Sequence, residues 1–113
     1  MLSILAALTI AATTPSLPAN CESASAFVGT ICTPQSTGKH PAILLLGGSE
    51  GGNQMSHDAP RFAAAGYVAA SVAYFGLPGL PQILEEIPVE TVGKALDALA
   101  ARADVDPNRI AIF

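Results

Sequence analysis

The stretch Pro41-Ala-Ile-Leu-Leu-Leu-Gly-Gly-Ser-Glu-Gly-Gly52 leaves a chain of this kind few ways to fold. Ile43 to Leu46 form an uninterrupted apolar run, too short to stand alone as a helix, which suits a strand buried on both faces of a parallel sheet. Gly47, Gly48, Gly51 and Gly52 follow at once. Lacking a Cβ, they permit positive φ and close approach of backbone to a ligand. Amide N–H groups at the carboxyl end of a buried strand can therefore face a bound group, and in open α/β sheets that rim is where ligands bind.

The flanking sequence supplies the partners such a strand needs. Ala26 to Thr33 is rich in β-branched and aromatic residues and stops at Pro34, which predicts an early strand near a sheet edge. After the glycine turn, Ser56 or Asp58 is placed to cap a short helix with Pro60 in its first turn and Gly66 as its stop. Tyr67 to Tyr74 then reads as a second apolar strand. Strand, helix and strand fall within about 35 residues, the size of a βαβ unit with a right-handed crossover. Phe75 to Pro81 is a loop of glycines and prolines at a strand's carboxyl end, suited to walling a site. From Pro88 to Ala103, Val89, Val92, Leu96 and Leu99 recur at spacings of three and four, which predicts an amphipathic helix lying on the sheet. Asp104 to Arg109 reads as a turn, and Ile110 to Phe113 as a further apolar strand. The expected class is α/β with a mainly parallel sheet, and the strand ending at Phe113 reads as a point of truncation.

Charge narrows the function. Five Lys or Arg against nine Asp or Glu, in 113 residues with a net charge of −4, give no clustered cations for phosphate neutralisation, so nucleic acid is not the expected partner. Leu2 to Ala12 followed by a polar tail resembles a secretory leader, expected over residues 1–26, with small-residue cleavage positions at Ala19 and at Ala24-Ser25-Ala26. The apolar segment is too short for a stable membrane span. An exported, periplasmic or secreted protein is the expectation, or a cytoplasmic one if the segment is not a signal. Cys21 and Cys32 suit one disulfide in an exported chain and two free thiols otherwise. With His40 and His57 as the only histidines and no Cys-x-x-Cys, no metal site is expected, nor any cofactor.

The glycine turn admits three chemistries. Gly47-Gly-Ser-Glu-Gly51 satisfies G-x-S-x-G, which makes Ser49 a candidate nucleophile, although an elbow passes directly into a helix and Asn53 to His57 intervene here. A triad also needs a later acid and histidine, and His57 follows in the same loop. Alternatively the turn's amides stabilise charge developing on a carbonyl oxygen. The third reading is a turn that merely connects, or that holds an anion without catalysis.

Pro41 to Gly52, Ala65-Gly-Tyr67, Ala73-Tyr-Phe-Gly76, Leu80-Pro81, Glu86-Ile-Pro-Val-Glu90 and Asp104-Val-Asp-Pro-Asn-Arg-Ile110 together resemble the start of the α/β-hydrolase domain of the acyl-CoA thioester hydrolase and bile acid-CoA:amino acid N-acyltransferase family. Dienelactone hydrolase-like enzymes share this layout. The resemblance covers about residues 27 to 113 in order and spacing. It implies the N-terminal portion of a three-layer αβα sandwich and acyl transfer from a small-molecule ester or thioester, acyl-CoA among them, through a serine or cysteine nucleophile with an acid and a histidine. That triad is expected beyond Phe113, so no catalytic residue is assigned within the chain. The oxyanion hole alone transfers, onto Gly48, Ser49 and Glu50, with the Ser49 N–H the leading donor. An exported enzyme meets little acyl-CoA, which favours another ester or thioester. Of the remaining polar residues, His40 and His57 read as loop positions, Tyr74 and Phe75 as packing at a strand end, Glu85 and Glu86 as a solvated approach to a helix, and Asp104 and Asp106 as ordinary turn chemistry.

Overall fold

The computed structural model describes residues 20–113, so positions 1–19 of the expected leader lie outside the described residues. The elements run β1 (Cys21–Ser23), β2 (Gly29–Cys32), β3 (His40–Leu46), a 3₁₀ turn (Gln54–His57), α1 (Ala59–Ala64), β4 (Val68–Val72), α2 (Glu90–Ala100) and β5 (Val105–Ile112). All the strands join one sheet in the order β1-β2-β4-β3-β5. β3 pairs in parallel with both β4 and β5, whereas β2 is antiparallel to β1 and to β4. The architecture is thus α/β with a mixed sheet. Parallel pairing is confined to β4-β3-β5, and β1 and β2 are antiparallel because the loop joining them is too brief for a parallel crossover.

β3 occupies the middle of the parallel part, and its side chains alternate between two cores. Ala42 and Leu44 join Val68, Ala70 and Val72 against Ala95 and Leu99 of α2. Ile43 and Leu45 join Ala69 against Ala59 and Ala63 of α1. Period-two alternation along the strand makes these opposite faces of the sheet, so the apolar run of β3 is buried on both sides as its pattern predicts. Leu44 and Leu45 are fully buried, each adding about 2 to 3 kcal/mol of transfer free energy.

α1 is short, as expected, and α2 is shorter than its periodicity suggests. α1 has Pro60 in its first turn, and Gly66 at φ +103° ends it. Asp58 takes the N-cap position but makes no side-chain cap bond; its carboxylate instead lies 3.6 Å from Arg61 Nη1. In α2 the buried residues are Ala95 and Leu99, with Val92 and Leu96 half-buried beside them. Val89 precedes the first helical turn and is 74% exposed, so it does not join the stripe.

Two further expectations are revised. The early strand begins at Gly29 rather than Ala26, and a separate strand, β1, precedes it within the segment read as leader. Cys21 lies directly opposite Cys32 and is bonded to it. At the other end, the Asp104 to Arg109 turn is a bulge inside β5. His40 pairs with Val105 and Ala42 with Ile110, so only Pro41 of β3 faces the whole of Asp106 to Arg109. The Asp106 carboxylate holds this bulge, accepting the Asn108 N–H at 3.0 Å and the Arg109 Nε–H at 2.9 Å. Those two donors keep its carboxyl below the usual carboxylate range. Such local side-chain bonds are what let Asp-Pro-Asn turn within a strand.

Candidate functional site

The glycine turn caps the carboxyl end of β3, beside the Phe75 to Pro81 loop that leaves β4, and the two are clasped together. The Gly52 N–H donates to the Phe75 carbonyl at 2.8 Å. Gly51 sits at φ +77°, where a Cβ would come within 3.0 Å of the Phe75 ring. A Cβ on Gly76, at φ +85°, would lie 3.1 Å from the Gly52 nitrogen. These positions need glycine for both conformation and space.

A second anchor is polar. Asn53 donates through Nδ2 to Thr30 Oγ1 at 3.1 Å and accepts from the Ser71 hydroxyl through Oδ1. Thr30 and Ser71 are paired across β2 and β4, and both are buried. Buried hydroxyls must find partners, and here the partner is the loop, which ties the glycine turn to the sheet. Tyr74 makes the third attachment. Its hydroxyl donates to the Gly47 carbonyl and lies 3.5 Å from the Gly48 carbonyl oxygen.

The geometry of the amides follows from these carbonyls. Across a planar trans peptide, C=O and N–H point in opposite directions, and the described chain has no cis bond. With the Gly47 and Gly48 carbonyls turned toward Tyr74, the N–H groups of Gly48 and Ser49 point away from it, on a common side. Among the described residues no backbone carbonyl accepts from the N–H of Gly48, Ser49 or Glu50. All three residues are exposed. Adjacent amides of this kind are chemically able to receive an anion. The Glu50 side chain is close by, with Oε1 3.1 Å from the place of a Cβ on Gly48.

The other sequence candidates are not gathered here. Ser49 stands at the second position of a turn closed by the Gly51 N–H on the Gly48 carbonyl, 3.5 Å apart. The 3₁₀ turn separates it from α1, so it is not at the start of a helix as an elbow serine is. The His40 ring Nε2 lies 3.0 Å from the Ser36 carbonyl at the amino end of β3. His57 is exposed at the end of the 3₁₀ turn. Asp104 lies at the amino end of the sheet, where its carbonyl accepts the His40 N–H. Its carboxylate is bound by Arg102 at 2.8 and 3.0 Å, a pairing that lowers the Asp104 carboxyl and raises the Arg102 guanidinium. The seven residues of β3 separate that end from the glycine turn, roughly 20 Å at strand rise.

One cavity of about 530 Å³ is lined by Met55, Asp58, Arg61, Phe62, Ala65 and Phe113, and one of about 300 Å³ lies between Phe27, Ala73, Leu80 and Thr91. Neither is lined by Gly48, Ser49 or Glu50, which are exposed at the rim among the described residues. Among the described residues no cluster of three or more His, Cys, Asp or Glu side chains could hold a metal, and no helix is long and apolar enough to cross a membrane.

Tyr74, Asn53, Thr30 and Ser71 escaped the sequence reading as site residues. For Tyr74 a signal existed: a glycine turn has carbonyls that need donors, and a tyrosine at the end of the next strand is one. Nothing in the local pattern singles out Asn53 or its two hydroxyl partners. Neither the known protein families nor the curated proteins give a match to this chain.

Proposed function

We propose that Gly48 and Ser49, with Glu50, form the oxyanion-receiving turn of an acyl-transfer enzyme that acts on esters or thioesters, the fold being the N-terminal portion of a three-layer α/β-hydrolase sandwich. The observation that carries this reading is the pair of N–H groups that find no acceptor among the described residues, on one side of a turn whose carbonyls face Tyr74. Donors aimed in advance at the position where charge develops stabilise a tetrahedral intermediate without reorganising. On this reading the attacking serine or cysteine, the acid and the histidine lie outside residues 20–113.

The compartment follows the same logic. A disulfide persists in oxidising surroundings, so the Cys21–Cys32 bond supports export. Asn20 is also tied down, exchanging bonds with Thr33 through its carbonyl and its Nδ2. Cleavage after Ala19 leaves these contacts intact, whereas cleavage after Ala26 removes β1 and half of the disulfide. Export in turn favours an ester or a thioester other than acyl-CoA.

Two variants of one residue test the role of the main chain. Proline is favoured at the second position of such a turn and removes the N–H, and Ser49 does not have positive φ. Ser49→Pro should therefore keep the fold and weaken binding of methylphosphonate, a tetrahedral anion, by about 10- to 100-fold. Ser49→Ala keeps the donor and should bind as the parent does. Loss of binding in Ser49→Ala, or its retention in Ser49→Pro, would show that the side chain or another group receives the anion.

The exposure of the turn favours a second reading, a non-catalytic module that holds an anion there. Selectivity separates the two. At a pH where each carries a single charge, an oxyanion hole prefers tetrahedral methylphosphonate to planar acetate, and a simple anion site does not.

A further inference from the structure

We infer that Tyr74 is the positioning residue of the glycine turn: by holding the Gly47 carbonyl it directs the Gly48 N–H, and with it the Ser49 N–H, toward the anion. The inference rests on the oxyanion reading above and adds the group that makes the turn competent.

Glycine peptides rotate at low steric cost, so the sequence of the turn does not by itself choose which way its amides face. Something outside it must. At the near end the parallel ladder fixes Leu46, whose N–H donates to the Phe113 carbonyl at 2.9 Å. At the far end Gly51 and Gly52 are clasped by Phe75, and Asn53 is bound to Thr30 and Ser71. Between these two fixed ends the Tyr74 hydroxyl takes the Gly47 carbonyl and stands 3.5 Å from that of Gly48. If the Gly47-Gly48 peptide flipped, the Gly48 N–H would turn toward the tyrosine, and the Gly47 carbonyl would take its place on the side where the anion sits. A carbonyl there repels an oxyanion. The phenolic hydroxyl, a stronger donor than acceptor, favours the arrangement in which it donates to the Gly47 carbonyl.

The ring is itself well placed for the task. Tyr74 is half-buried, and its ring packs at a tilt on Phe75, 5.4 Å between centroids. Phe75 is the residue whose carbonyl and ring hold Gly52 and Gly51, so one dipeptide at the end of β4 fixes both halves of the turn. Tyr74→Phe keeps the packing and deletes only the hydroxyl. Tyr67 serves as the control, since its ring meets Phe62 edge-on at 6.2 Å in the α1-side core, away from the turn.

The test compares Tyr74→Phe and Tyr67→Phe with the parent protein by NMR, first unliganded and then titrated with methylphosphonate. In Tyr74→Phe the Gly47 carbonyl carbon and the Gly48 amide should move before any anion is added, and methylphosphonate affinity should fall about tenfold, the worth of one hydrogen bond. Tyr67→Phe should change neither. Unmoved Gly47 and Gly48 resonances, or moved resonances with parental affinity, would overturn the role of Tyr74. If the parent protein itself fails to bind methylphosphonate, the oxyanion reading falls. The unliganded resonances still decide whether Tyr74 sets the turn, supporting it if they move and overturning it if they do not.

Discussion

Reducing the Cys21–Cys32 disulfide should lower the free energy of unfolding by about 3 kcal/mol, the chain-entropy value for a loop of this length. The two cysteines are 11 residues apart and lie opposite each other in the β1–β2 ladder. β1 has three residues and, among the described residues, pairs with β2 alone, so the bond reinforces a short ladder. Cys21→Ser is the better variant for the measurement, because Cys32 is fully buried in the α1-side core and a hydroxyl there would add its own desolvation cost. A shift of urea midpoint corresponding to less than about 1 kcal/mol between oxidised and reduced protein would contradict the expectation. The glycine turn should be untouched by reduction, because Thr30 and Ser71 are held by the β2–β4 pairing rather than by β1.

Leu44→Ala should cost about 3 to 5 kcal/mol, the upper part of the range for a leucine truncated in a core that cannot collapse. Leu44 is fully buried and pairs with Ala70 of β4 on one side and Ile112 of β5 on the other. Backbone ladders on both flanks, and Leu99 and Ala95 of α2 above, leave little room for neighbours to move in. Leu46, half-buried where the strand ends, should lose less on the same change. Since domains carry only about 5 to 15 kcal/mol in total, the Leu44 variant should approach unfolding at room temperature. Urea denaturation of both variants provides the check, and equal losses at the two positions would mean that burial does not fall off at the carboxyl end of β3 as described.

The part of the fold legible in the sequence is the part where one local pattern leaves one solution. Ile43 to Leu46 could only be a strand covered on both faces, and Gly66 after an alanine run could only end α1. The β2–β4 pairing was not legible, because the direction of a neighbouring strand depends on connections rather than on composition. Gly29 shows why: a Cβ there would come within 2.0 Å of the Ser71 carbonyl, a constraint that exists only once the two strands meet. The bulge at Asp106 to Arg109 was half legible. Asp-Pro-Asn announced a turn, and pairing with β3 on both sides of it absorbed that turn into a strand. At the candidate site, the glycines and their place at a strand's end could be read directly. The partners that orient them come from β2, β4 and the following loop, and such contacts across the sheet leave no periodic trace.

An oxyanion role for the turn requires that an anion touch the backbone at Gly48 and Ser49. A residue-resolved 15N titration of the parent protein with methylphosphonate measures this directly. The Gly48 and Ser49 amides should show the largest shifts, saturating together, with a smaller shift at the adjoining Glu50. Shifts confined to the surroundings of Lys39, Arg61 or Arg109, with Gly48 and Ser49 unmoved at saturation, would contradict it.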